Sequence, residues 1–165
     1  MLNETYYDIA MIDLQYMQLT LNSHFYNNIT IHAQQVVEKL LKSVVELVCP
    51  DPTDLLRSHN LRNIIDEINN NEKLDIDRKD MAYLKDFYFD ARYPGENYTQ
   101  VTREDCTECL EIMYNVIDRV NQFRRERGLD TQVYNRMMLE EYGIELENTE
   151  DNADLEDDEA WENEL

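Results

Sequence analysis

From Ala33 to Val48 the apolar residues Ala33, Val36, Val37, Leu40, Leu41, Val44, Val45 and Val48 recur at intervals of three and four. That interval is the period of an α-helix with a wide apolar face. A second run, Cys106, Cys109, Met113, Val116, Val120 and Phe123, repeats with spacings 3, 4, 3, 4, 3 and forms a regular seam. Faces of this width are buried only against neighbouring elements, and no segment of the chain alternates convincingly as a strand. The neighbours must therefore be helices.

The remaining periodic segments supply them. Glu4 to Leu21 reads as a first helix, with Ala10, Leu14, Met17 and Leu21 on one stripe and Ile9, Ile12 and Tyr16 beside it. Asn3 and Thr5 are its candidate caps. Cys49-Pro50 ends the second helix, because a residue before proline is driven out of the α region. DPTD at 51–54 reads as a turn. Leu61, Ile64, Ile65 and Ile68 mark a third helix, and a fourth runs from Asp77 to Ala91 with Met81, Leu84, Tyr88 and Ala91 inward. Thr102 caps the fifth, and Gly128 closes it after Arg124, Arg125 and Arg127, cations suited to a helix C-terminus. With only three glycines and three prolines, turns are scarce. The expectation is an all-α antiparallel helical bundle of about five helices over 1–128, a short helix over 129–142, and an acidic, disordered tail over 143–165.

Charge separates the tail from the rest. Glu140–Leu165 holds 13 of the 36 acidic residues and no Lys or Arg, so most of the net −21 belongs there. The preceding chain has 23 acidic residues against 15 basic, or −8. That balance argues against general nucleic-acid binding, which needs many cationic contacts to backbone phosphates. It leaves room for one small basic pocket. Leu155 and Trp161 punctuate the acidic run, so the tail reads either as a solvated appendage or as a docking segment for a basic groove. The N-terminal residues lack a basic region followed by an apolar run, and no apolar stretch approaches membrane-spanning length. The expected location is the cytoplasm.

Candidate chemistry is sparse. Cys106-Thr-Glu-Cys109 has CxxC spacing, but both cysteines sit in the seam and no second pair accompanies them, which points to core packing. The histidines show no metal-ligand spacing, so neither a metal nor another cofactor is expected. Most of the 11 tyrosines lie beside aliphatic residues on helix faces, whereas Tyr93 and Tyr98 lie in a connection. His32 shares one side of the second helix with Gln35 and Lys39. His59 and Arg62 open the third helix, and Arg92 follows the fourth in the sequence ARYPG. These polar groups interrupt apolar helices near their ends, where a bundle gathers side chains into one pocket.

Three stretches resemble a known family. DIAMIDLQYMQLTLNSHFYNNITIHAQQVVEKLLKSVVELV resembles the first two helices of the HEPN domain, named for its occurrence in higher eukaryotes and prokaryotes. LRSHNLRNIIDEI resembles its next helix, and LKDFYFDARYPGENY its closing stretch, where one large branch carries Arg-Tyr-Pro. The likeness runs from about Tyr6 to Arg127. It implies an antiparallel helical bundle that forms a homodimer.

The resemblance also implies one of two functions. One branch consists of metal-independent ribonucleases, many of them toxins, which use an arginine followed a few residues later by a histidine at a helix start. Arg92 matches the arginine, but Asn97, Tyr98 and Thr99 stand where the histidine belongs, and no histidine follows His59. Asparagine cannot exchange protons, and tyrosine titrates near pH 10. The other branch, to which the Arg-Tyr-Pro motif is similar, is associated with nucleotide binding and with small nucleotidyltransferase partners. On that reading Arg92 holds a phosphate and Lys39 adds a second charge. Tyr93 or Tyr98 stacks on a base, while His32 and His59, with Gln35 alongside, orient phosphate or sugar oxygens. A competing structural role pairs Arg92 with Asp86, Asp90 or Glu96. The alternatives to ligand binding are a toxin-like ribonuclease and a dimeric interaction module.

Overall fold

The computed structural model describes residues 5–140, and α2 is the element around which they are arranged. Among the described residues there are six helices and no strand: α1 (Tyr6–Gln18), α2 (Tyr26–Val48), α3 (Thr53–Arg57), α4 (Leu61–Asn71), α5 (Arg78–Asp90) and α6 (Arg103–Glu126). Each of the other five packs against α2. This is the all-α bundle expected from the apolar periodicity. Ile29, Ala33, Val36, Val37, Leu40, Leu41, Val44 and Val45 of α2 are buried, as are all six seam residues of α6. Burying such side chains contributes about 1.5–3 kcal/mol each and gives the bundle its main driving force.

Local signals set the helix ends. Thr5 and Thr102 each make a capping box, with Asp8 and Asp105 returning the bond to the cap. Gly128 adopts φ +70°, and the amides of Gly128 and Leu129 donate to the carbonyls of Arg125 and Arg124. That is a Schellman closure, which favours glycine because a Cβ is strained there. On α1 the stripe Ala10, Leu14 and Met17 is buried, but Ile12 and Tyr16 face outward with Leu19. The segment read as a turn at 51–54 instead begins a short helix, α3, opened by Pro52 with Asp54 in its first turn.

A polar stripe runs along the buried side of α2. Thr30, Gln34, Glu38 and Lys42 are all buried at helical spacing. Glu38 pairs with Lys42 at 3.5 Å, while neither end of the Gln34 amide meets a partner among the described residues. Thr30 lies beside Cys106 and Cys109, whose thiols burial pushes up, that of Cys106 to about 11. High pKa values and complete burial make these cysteines inert packing groups rather than redox or metal ligands.

Residues 129–140, expected to be helical, carry no regular secondary structure and form a strap across α1 and α6. The reason is a set of hydrogen bonds that replaces helical pairing. The Gln132 amide donates to the Tyr7 hydroxyl at 2.7 Å, and the Met137 amide donates to the Tyr114 hydroxyl at 3.0 Å. Tyr114 donates in turn to the Met137 carbonyl, and Gln18 donates to the Asn135 carbonyl at 2.7 Å. Tyr134 stacks on Tyr114 and donates to Asp118. The acidic segment 143–165, with Leu155 and Trp161, lies outside the described residues. No helix among the described residues is long and apolar enough to cross a membrane.

Candidate functional site

The ARYPG segment begins where α5 ends. The amides of Arg92 and Tyr93 donate to the Phe89 carbonyl, Thr99 returns to the Asp90 carbonyl at 2.7 Å, and Tyr98 closes a turn on the Gly95 carbonyl. Asn27, in the first turn of α2, clamps this loop. Its Nδ2 donates to the carbonyls of Ala91 (3.1 Å) and Thr99 (2.9 Å), and its Oδ1 accepts from the Val101 amide at 2.8 Å. A third Nδ2 contact reaches the Tyr98 hydroxyl at 3.3 Å. One side chain thus ties the start of α2 to the whole loop between α5 and α6.

The Arg92 guanidinium lies 5.0 Å from the ring centre of Tyr88 and 5.6 Å from that of Tyr93. Aromatic faces attract a cation without neutralising it. Among the described residues no carboxylate lies within 4.0 Å of it, so the expected alternative pairing with Asp86, Asp90 or Glu96 does not form. His59 stacks on the same Tyr88 ring at 4.6 Å and 13°, and its Nδ1 bonds Glu38 at 2.9 Å. The order Arg92, Tyr88, His59, Glu38, Lys42 is continuous from the loop to the buried stripe of α2. His59 stands just before the Asn60 cap of α4 rather than in that helix.

His32 lies on the other side of α2. Its ring meets Tyr16 edge-on at 5.3 Å. Burial pushes its pKa below the ordinary imidazole value; Asp13 opposes the shift, and the charges of Lys39 and Arg92 add to it. His32 is therefore neutral at neutral pH, a hydrogen-bonding group rather than a cation. Lys39 is engaged by Asp13 in an ion pair and offers no free charge. Gln35 is half-buried one turn beyond His32.

Arg92 and Tyr98 open onto a cleft of about 420 Å³, lined also by His24, Tyr26, Asn27 and Asn28. Tyr98 and Tyr93 are exposed. Among the described residues, none that lines this cleft is acidic. The N-terminus of α2 faces it without a side-chain cap, because Phe25 occupies the cap position. Free amides at a helix start carry partial positive charge and suit an anion.

The chain matches the HEPN domain, with residues 4–123 aligning to the family's model. The chain belongs to the HEPN domain family. No curated protein and no solved structure matches it. In this HEPN domain, then, Arg92, Tyr93 and Tyr98 are gathered at one corner. His32 is close enough to feel the Arg92 charge, while His59 and Arg92 both lie against the Tyr88 ring. Asn27, Tyr88, His24 and Glu38 were missed from sequence. Tyr88 read as a core position, and nothing local marks Asn27 as a clamp on residues 64 to 74 positions away. Among the described residues no three His, Cys, Asp or Glu side chains converge as a metal site.

Proposed function

We propose that this HEPN domain binds a phosphorylated ligand of the nucleotide class in the Arg92 cleft, as a module of the Arg-Tyr-Pro branch. The observation that carries the reading is the Arg92 guanidinium itself, which lies against two aromatic rings, has no carboxylate partner among the described residues and opens onto a cleft whose described lining holds no acidic residue. Its fork takes two phosphate oxygens, and the amides of Asn27 and Asn28 in the first turn of α2 take others, that of Tyr26 being bonded to the His24 carbonyl. The exposed ring of Tyr98 supplies a face for a base. His59 acts at one remove by stacking beneath Tyr88, and Lys39, already paired, stays out of the contact.

Calorimetry with ATP, GTP and their diphosphates tests this reading. The wild-type chain binds at least one of them, and Arg92→Ala weakens binding about 10- to 100-fold, the size of one charge-assisted pair of hydrogen bonds. Absence of binding at millimolar nucleotide would overturn it. A ribonuclease role is less well supported. Asn97 cannot exchange a proton, and His32, neutral and half-buried, can accept one but is a poor donor. RNA cleaved by the wild type and spared by Arg92→Ala would restore that role.

The outer face of α1 supports association with a second copy or with a nucleotidyltransferase. Ile12, Tyr16 and Leu19 are exposed at i, i+4 and i+7 and make an apolar stripe. Light scattering of the wild type and of Ile12→Lys distinguishes a dimer through this stripe from a monomer.

A further inference from the structure

We propose that the acidic segment 141–165 of the same chain occupies the Arg92 cleft when no ligand is bound. The strap delivers the chain to the rim of that cleft. Its last described residue, Glu140, is held through its carbonyl by Arg103 Nη2 at 2.6 Å. Nη1 of the same guanidinium donates to the Tyr26 hydroxyl at 3.4 Å, and Tyr26 lines the cleft. The chain therefore leaves Glu140 one side chain away from Arg92's pocket. Five residues of extended chain cover up to about 17 Å, so the first part of the segment already reaches across.

Charge decides the direction. Residues 141–165 contain 12 Asp and Glu and no Lys or Arg. On the outer side of α6, Glu104, Glu108 and Glu111 flank the same exit point and repel such a segment. On the cleft side stand Arg92 and the start of α2, with no carboxylate among the described lining residues. Each exposed charge pair contributes little, about 0–1 kcal/mol. A tether, however, raises the local concentration of the segment to the millimolar range, where several weak pairs suffice. The carboxylates then stand where phosphate oxygens stand in the nucleotide reading, and the two exclude one another. The tail contact rests on the charge and position of Arg92 and does not require that reading to hold.

Trp161 is the sole tryptophan of the chain and reports the contact directly. In the full chain at low salt, acrylamide quenching of Trp161 is weaker than in Arg92→Glu. It rises in the wild type when ionic strength is brought to about 1 M, where the Debye length is about 3 Å. In a second variant Asp154→Asn, Glu156→Gln, Asp157→Asn, Asp158→Asn and Glu159→Gln are combined. There the NMR resonances of the Arg92 Nε–H and of the Asn27 and Asn28 amides move from their wild-type positions. Unchanged quenching together with unmoved resonances overturns the proposal. So does a difference that grows with protein concentration, which would place the segment on a second copy. Nucleotide titration of the tail-neutralised chain is read separately: failure to bind there refutes the ligand reading and leaves the tail contact standing.

Discussion

Asn27 should matter more to the Arg92 corner than any residue that touches a ligand. Its side chain makes three short hydrogen bonds to the loop backbone, at Ala91, Thr99 and Val101. Each contributes about 1 kcal/mol net, so Asn27→Ala costs roughly 3 kcal/mol, a large part of a typical domain's 5–15 kcal/mol. Asn27→Asp is the sharper test, because it is nearly isosteric. It keeps the acceptor for the Val101 amide but replaces two donors with an anionic oxygen facing two carbonyls. The expected cost at pH 7 therefore equals or exceeds that of Ala, despite the better fit. It shrinks at pH 4, where the carboxylic acid regains one donor. Urea unfolding supplies the free energies, and hydrogen exchange at the Val101 amide reports whether the loop has come loose. Near-neutral behaviour of Asn27→Asp at pH 7 would refute the clamp.

Two further outcomes follow from the fold. His32 titrates below its unfolded value of about 6.5, so the unfolded chain binds its proton first and stability falls as pH drops through that range. His32→Gln flattens the unfolding free energy between pH 7 and 5.5, above the window in which the capping carboxylates Asp8 and Asp105 protonate. Tyr114→Phe removes the hydroxyl that bonds both the Met137 amide and carbonyl. It costs about 1–3 kcal/mol for the polar groups left unpaired and accelerates proteolysis within 129–140 while helix content by circular dichroism holds.

The helices were legible because their information is local. The seam of α6, the capping threonines and the closing glycine are each written within four residues, and the structure uses all of them. The strap was not legible. Tyr134, Met137 and Met138 show a plausible helical spacing, but the hydroxyls of Tyr7 and Tyr114 outcompete helical pairing from more than twenty residues away. The site divides in the same manner. Arg92, Tyr93 and Tyr98 adjoin one turn, so sequence brings them together. The pairing of Lys39 with Asp13, which removes its charge from the pocket, spans 26 residues and has no sequence signature. Nor has the contact of both His59 and Arg92 with the Tyr88 ring, because a half-buried tyrosine on an apolar face reads as packing.

The polar stripe of α2 bears on how this bundle avoids its near-copies. A helix that touches all five others and is apolar over most of its surface could turn about its own axis and still bury aliphatic groups. Advancing by one residue rotates it by about 100°. Such a rotation would carry Glu38 away from His59 while its pair with Lys42, on the same helix, travels with it, so what is lost is the hydrogen bond between His59 and the Glu38 carboxylate, about 1.5–3 kcal/mol. The Glu38–His59 contact thus acts as a key: it is made at one azimuth only and raises the neighbouring wells relative to the native one. The helix that carries Asn27 at its start is thereby held at one azimuth, and with it the direction in which Arg92 faces.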